Sequence, residues 1–457
     1  MSVVFERKIL KKMQYWKDEL SDDYALLVEG ARRVGKTTVV KEFVKDNYGT
    51  SIFIDFSKPK DGLLDLFSEG ASDLNRFFLN LQRITKVDLT EHDSVIVFDE
   101  VQLCPQARQM IKHLVADGRY HYIETGSLIS IKQNVKDILI PSEEYRIQMY
   151  PMDFEEFLWA NGDRYTMELA RTCFRTRSPM GRYPHKEAMY MFRLYMLVGG
   201  MPKIVSTYLE KNNFKMAEIG KRSILELYAD DLRKIGGVSS GRCSNIFGMV
   251  PSLLSRHDKT FKANAVKEGS RISDYLEAIR SLEDSKTVLV CNKCDDTDPA
   301  AEMYVDFYGI KLYMADTGLL FTSAFGSNVA DIDETYDLIL GDRLGMNQGM
   351  FLENAVAQEL KASGHRLLYS RFRADDTVNT QEVDFILFDG RKVCPVEVKS
   401  GNSSAHVSLD RYIRKYKKDI DRAYVVHTKD LREGEDGILY VPAYMVSLLC
   451  PVDGIDG

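Results

Sequence analysis

The run Gly30-Ala-Arg-Arg-Val-Gly35-Lys36-Thr37 constrains this chain more than any other stretch. Apolar residues 24–28 feed into it, and residues 38–45 leave it with apolar side chains at 39, 40, 43 and 44 on one helical face. A strand, a glycine-bounded loop ending in Lys-Thr and then a helix is the context in which backbone cradles phosphate. The glycines let N–H groups turn inward, and the helix offers its positive end to the same anion. Gly30, Gly35, Lys36, Thr37 and Thr38 are therefore the expected nucleotide contacts. Lys36 can reach the β- and γ-phosphates, and the Thr37 hydroxyl can ligate Mg²⁺.

Residues 51–56 form a second expected strand about one helix later, as in a βαβ unit. Ser94-Val-Ile-Val-Phe98 then runs into Asp99-Glu100. A buried strand ending in two carboxylates complements a phosphate loop: Asp99 can hold Mg²⁺, and Glu100 can act as general base on water. Residues 120–124 are a further strand, ending in Thr125-Gly-Ser127. A polar side chain there lies beside the γ-phosphate, which makes Thr125 and Ser127 sensor candidates. A plain turn hydroxyl is the competing reading. No arginine finger is assigned, although Arg146 lies near the end of this region.

A second chemical signal sits in the last third. Glu382-Val-Asp384-Phe-Ile-Leu-Phe388, the turn Asp389-Gly390, and Arg391-Lys-Val-Cys-Pro-Val396-Glu397-Val398-Lys399 read as a hairpin. Residues two apart on a strand share a face, so Glu397 and Lys399 project together while Val396 and Val398 face a core. The hairpin brings Asp384 to the same edge, and Glu353, on a helix spanning 350–359, can add a third carboxylate. Such acids with a lysine make a plausible Mg²⁺ site for phosphate-ester cleavage, although strand ends with mixed charge are common. Residues 411–418 read as a basic, tyrosine-interleaved helix, suited to a nucleic-acid backbone or to plain solvent.

Composition bounds the classes. Lys and Arg number 61 against 68 Asp and Glu, a net charge of −7, so nucleic-acid contact would need local patches. With 44% hydrophobic residues there is material for several cores, which excludes low-complexity disorder and collagen. No apolar run approaches the ~18–20 residues that span a bilayer, so no membrane partner is expected. The opening residues interrupt their apolar stretches with charge, and the reading is cytoplasmic with seven reduced cysteines. Cys291 and Cys294 form a lone pair without further zinc ligands nearby in sequence.

The motifs GARRVGKTT, VIVFDEVQ and YIETGS, with Tyr150-Pro-Met-Asp-Phe-Glu-Glu-Phe-Leu158, resemble those of uncharacterised prokaryotic AAA+-like ATPases. That family carries a C-terminal domain of unknown function with a restriction-endonuclease-like core. The resemblance continues through Gly199-Gly-Met-Pro-Lys203, Lys311–Leu319, Phe351-Leu-Glu-Asn354 and the Asp384 and Glu397–Lys399 segments. It implies nucleotide contacts at Gly35, Lys36, Thr37, Asp99 and Glu100, and a nuclease-like site at Glu353, Asp384, Glu397 and Lys399.

The expected architecture is α/β and multidomain. A P-loop parallel-sheet ATPase domain covers 1–155, a helical lid 156–239, a winged-helix-like module 240–330 and a restriction-endonuclease-like α/β domain 331–457. Within it, residues 171–177 read as an exposed basic loop, 286–290 and 311–314 as wing strands separated by a polar stretch at 295–299, and 331–337 as an acidic loop. The cofactors expected are ATP and Mg²⁺. Two partner classes stay open: DNA or RNA, and a protein partner or second copy of the chain engaged by a degenerate nuclease-like domain.

Overall fold

The computed structural model describes residues 4–68, 73–127, 140–234, 239–294, 305–325, 332–341, 348–374, 376–377, 379–401 and 406–451. It divides into two compact units, one built on Met1–Tyr150 and the other on Pro151–Glu283 and Thr287–Asp453.

In the first unit, β1 (Ala25–Gly30), β2 (Thr50–Asp55), β3 (Ser94–Asp99), β4 (His121–Gly126) and β5 (Glu144–Met149) form one sheet. Its order is β2-β3-β4-β1-β5 and every pairing is parallel. Parallel strands need crossovers that cover the sheet faces, which is why β1 and β3 are apolar runs buried at every residue. Ile52, Ile54, Ile96, Phe98 and Tyr122 stand in register on one face. Phe56 and Phe67 close over it, their rings 5.9 and 5.6 Å from that of Phe98. The helix that follows β1, α1 (Lys36–Asn47), packs Val39, Val40, Phe43 and Val44 inward, the spacing expected of an amphipathic face. Because all five strands run the same way, the loop after β1, the end of β3 and the end of β4 meet at one edge.

The second unit opens with helices Phe154–Ala160, Thr166–Thr176, Arg182–Val198, Pro202–Lys211, Phe214–Lys234 and Ser239–Leu254. Two sheets follow. One has the order β7-β6-β8-β9, from β6 (Val288–Cys294), β7 (Val305–Met314), β8 (Leu368–Arg373) and β9 (Thr380–Val383). The other has the order β10-β11-β12-β14-β13, from β10 (Phe385–Asp389), β11 (Lys392–Val398), β12 (Tyr424–His427), β13 (Arg432–Glu433) and β14 (Leu439–Pro442). The expected hairpin is present: β10 and β11 pair antiparallel, Phe385 opposite Val396, with Gly390 at φ 56° in the turn.

Three local expectations change. The basic segment 171–177 is not a loop but the end of helix Thr166–Thr176. Met167, Ala170 and Cys173 fall on one buried face, and no proline interrupts the chain before Pro179. The acidic segment near 331–337 lies largely within helix Ile332–Leu340. There the buried Tyr336 packs its ring 4.5 Å from Phe214 and 5.0 Å from Phe321, which outweighs the surrounding acids. The wing strands β6 and β7 do pair antiparallel, yet β6 also pairs in parallel with β8, so the pair is part of a larger sheet. The polar stretch 295–299 lies outside the described residues.

Buried His427, at the end of β12, accepts the Lys429 amide on Nδ1 at 2.7 Å and packs 5.9 Å from the Tyr440 ring. Burial, with Arg432 and Lys429 nearby, pushes its pKa from 6.5 down to about 4. The folded chain therefore keeps this ring neutral where the unfolded chain protonates it. Stability present above pH 6.5 should be lost as pH falls toward 4. Thermal unfolding across that window should show a falling midpoint, and His427→Gln should flatten the slope; an unchanged slope in the variant would contradict this origin.

Candidate functional site

The nucleotide edge is assembled by the backbone first. Gly35 caps α1 at φ 101°, a left-handed conformation that a side chain disfavours. Gly30 is required for a different reason: a Cβ there would meet the Met149 carbonyl oxygen of β5 at 2.3 Å. Between them the loop turns, and Lys36 folds back so that its buried ammonium donates to the carbonyls of Gly30 and Ala31 at 2.9 and 3.0 Å. Burial pulls the Lys36 pKa down, opposed by Glu100 and Asp99.

Thr37 donates to Asp99 Oδ1 at 2.9 Å, which joins the loop to the end of β3. Thr125, buried at the end of β4, donates its hydroxyl to the same Asp99 oxygen. The amide of Glu100 in turn donates to Thr125 Oγ1 at 3.3 Å. Glu100 itself adopts φ 55°, which turns the chain sharply after the strand. Gln102 donates to Glu100 Oε2, a partner the sequence reading did not name. Thr38 is exposed on the first turn of α1 and Ser127 is buried just beyond β4. Arg146 pairs with Glu144 on its own strand, Nη2 to Oε2 at 2.9 Å. A hydroxyl and one carboxylate suit Mg²⁺, which usually takes few protein ligands and fills its shell with water and phosphate oxygens. Thr37 and Asp99 fit that role.

The second unit gathers the other predicted residues. Glu353 lies on helix Gln348–Ala362, Asp384 joins β9 to β10, and Glu397 lies on β11 with Lys399 just past its end. Lys399 donates to Glu397 Oε1 at 2.7 Å, and the Val398 amide donates to Asp384 Oδ2 at 2.8 Å. Contrary to a plain in-out alternation, Glu397 is 6% exposed and its Oε2 has no hydrogen-bond partner.

Three further groups enter to which no site role was assigned from sequence. Lys311 of β7, with no exposed surface, lies 2.7 Å from Glu382 Oε1 and 4.0 Å from Asp384 Oδ1. Lys259 bonds Glu353 Oε2, and the Tyr313 hydroxyl donates to Glu353 Oε1 at 2.7 Å. A lysine opening the apolar strand Lys311-Leu-Tyr-Met, within the segment 311–319 that carries the resemblance, is the signal that points here. Burial pushes the Asp384 carboxyl up to about 8, aided by Glu397 and Glu353. Burial pushes Glu353 the same way, but Lys259 and Lys311 outweigh it and hold its pKa below the usual range. Carboxylate oxygens suit a hard divalent cation. As arranged, however, no group of three or more His, Cys, Asp or Glu among the described residues is poised to hold a metal ion. Ammonium groups stand among the acids instead.

The basic helix is Val407–Lys415, and its charges are largely engaged. Arg411 and Arg414 pair with Asp376, Lys415 donates to the Arg373 carbonyl at 2.8 Å, and Tyr412 is buried. Among the described residues, no helix is long and apolar enough to cross a membrane.

A parallel sheet that brings a Lys-Thr loop, Asp99-Glu100 and Thr125 to one edge defines a P-loop nucleotide-binding domain. The AAA domain family matches residues 22–158, and this part of the chain is an AAA-type P-loop ATPase domain. Two domains of unknown function match the remainder, DUF8612 over 189–328 and DUF4143 over 348–446. No curated protein matches the chain. Among solved structures, the chain is similar to a Walker-type ATPase of Pyrococcus abyssi, at 14% identity and TM-score 0.41, over 70% of this chain and 96% of that one. It is also similar to Cdc6p from Pyrobaculum aerophilum, at 11% identity and TM-score 0.27, over 75% of this chain and 97% of that one.

Thr125 touches both Asp99 and the Glu100 amide, so it orients the groups expected to serve metal and water. Replacing it with valine should weaken Mg²⁺-dependent nucleotide affinity or turnover by roughly tenfold, the scale of losing an outer-shell partner. Binding of nucleotide without Mg²⁺ should change little. Titration with a fluorescent nucleotide, with and without Mg²⁺, checks this; an equal loss in both conditions would assign Thr125 to the fold alone.

Proposed function

We propose that the protein binds and hydrolyses ATP at the P-loop and couples that cycle to a nuclease-like C-terminal domain acting on nucleic acid. The observation that supports the first half is the chain of contacts Thr37–Asp99–Thr125 beside the buried Lys36 and half-buried Glu100. Mg²⁺, when bound with nucleotide, supplies charge neutralisation on the phosphates. With ATP bound, Lys36 would turn its ammonium from the loop carbonyls to phosphate oxygens, Thr37 and Asp99 would hold the cation, and Glu100 would take the proton of the attacking water. Release of Glu100 from Gln102 frees its carboxylate for that task. The modules proposed for the cycle are those expected from sequence, 1–155, 156–239, 240–330 and 331–457.

Lys36→Ala should abolish ATP binding, and unaffected binding would remove the assignment. Glu100→Gln should keep binding and lower turnover by roughly 10²–10⁴-fold. Equilibrium binding and phosphate release measure the two separately.

The nuclease-like reading is supported by Glu397 and Lys399 side by side, with Asp384 at the Val398 amide and one Glu397 oxygen unbonded. In it, Glu353, Asp384 and Glu397 would hold a divalent cation and Lys399 would orient water. Wild type and Asp384→Ala should be incubated with DNA and RNA, Mg²⁺ or Mn²⁺, with and without ATP. Cleavage by wild type that is lost in the variant is the expected result. If neither protein cleaves, the nuclease reading falls and the reading as a nucleotide-driven scaffold for a protein partner gains.

A further inference from the structure

The acidic centre of the second unit is not built from one part of the chain. Its carboxylates, Glu353, Glu382, Asp384 and Glu397, all follow residue 350, whereas two of the cations that neutralise them, Lys259 and Lys311, precede residue 320. These two lysines differ in how they are held. Lys311 is rooted in β7, has no exposed surface and stacks its ammonium 4.6 Å from the centre of the Tyr369 ring. Lys259 lies outside any helix, strand or turn, and its side chain keeps 20% of its surface exposed. The chain itself is anchored on both sides of the lysine: Asp258 pairs with Arg371 at 2.9 Å and Lys262 at 2.8 Å, and the Phe261 amide donates to the Ile310 carbonyl at 2.7 Å. Lys259 can therefore leave the centre by rotating its own side chain, while Lys311 cannot leave without opening the sheet.

Inside the centre, the Glu397 Oε2 atom is buried without a hydrogen-bond partner. A buried carboxylate oxygen left unbonded is costly unless something positive approaches it. Glu353, the acid that would share such a cation, is instead bonded to Lys259. We propose that Lys259 is a resident counter-cation that guards this centre: a divalent cation binds among Glu353, Asp384 and Glu397 only when the Lys259 ammonium withdraws. The proposal rests on the reading of these acids as a cation site, and it adds the competition that controls the site.

Competition makes a definite prediction for binding, independent of any cleavage. Mn²⁺ alone is titrated calorimetrically into the full-length, nucleotide-free protein, comparing wild type, Lys259→Met and the double variant Lys259→Met/Asp384→Asn. Lys259→Met keeps most of the stem and removes the charge, so it should bind Mn²⁺ at least about tenfold more tightly than wild type. The double variant should lose that gain. Mn²⁺ should also raise the melting temperature of Lys259→Met more than that of wild type, because the ion replaces a lost counter-charge. Lys259→Gln, which retains a donor for Glu353, is the second test if Lys259→Met does not fold. Equal Mn²⁺ affinity in wild type and the Lys259 variants, with binding lost in the double variant, overturns the guard and leaves the cation site standing. Absence of binding in every protein overturns both.

Discussion

A fully buried ammonium, Lys311, is what allows four carboxylates to collect where the two sheets of the second unit approach each other. Burial by itself would drive its proton off, yet Glu353, Glu382 and Asp384 together hold its pKa above the ordinary lysine value. The dependence is mutual. Without the lysine, the half-buried carboxylates of Glu382 and Asp384 would face each other with no cation between them. Tyr313, Arg371 and the Val398 amide complete the balance by taking up further carboxylate oxygens. The strands β7, β9, β10 and β11 are thus tied by charge as well as by backbone pairing.

The first unit rests on a different constraint, the uniform direction of its strands. Parallel pairing delivers β1, β3 and β4 with their ends at one edge, and the chemistry follows from which residues stand there. Asp99 is the hub, accepting from both Thr37 and Thr125, so the loop after β1 and the end of β4 are joined through one carboxylate. Gly30 and Gly35 matter for backbone reasons alone: one admits the β5 carbonyl, the other turns the loop into the helix.

Much of this was legible before any coordinates. The β1 strand, the loop and the helix after it are encoded by contiguous residues whose preferences agree, so their positions could be read within a residue or two. The same holds for β3 with Asp99-Glu100, whereas the first hairpin strand begins three residues later than expected, Glu382 and Val383 belonging to β9 of the other sheet, and the helix carrying Glu353 runs three residues further. Residues 171–177 and 331–337 were misread because charge suggested loops, while a few apolar side chains such as Met167, Cys173 and Tyr336 decided for helix by packing. Local composition carries little information about such contacts.

Lys259, Lys311, Tyr313 and Glu382 were illegible for a stronger reason. Their contacts span 40 to 94 residues of chain, a separation from which no local spacing predicts a role. By itself, then, the sequence determined the local units: a phosphate loop between strand and helix, a strand ending in acids, and a hairpin with Glu397 and Lys399 at one end. Only the tertiary structure decided which of those ends meet and what neutralises them. Chain propensities act over a few residues, whereas the balance of buried charge is struck between groups that come together only after the sheets have formed.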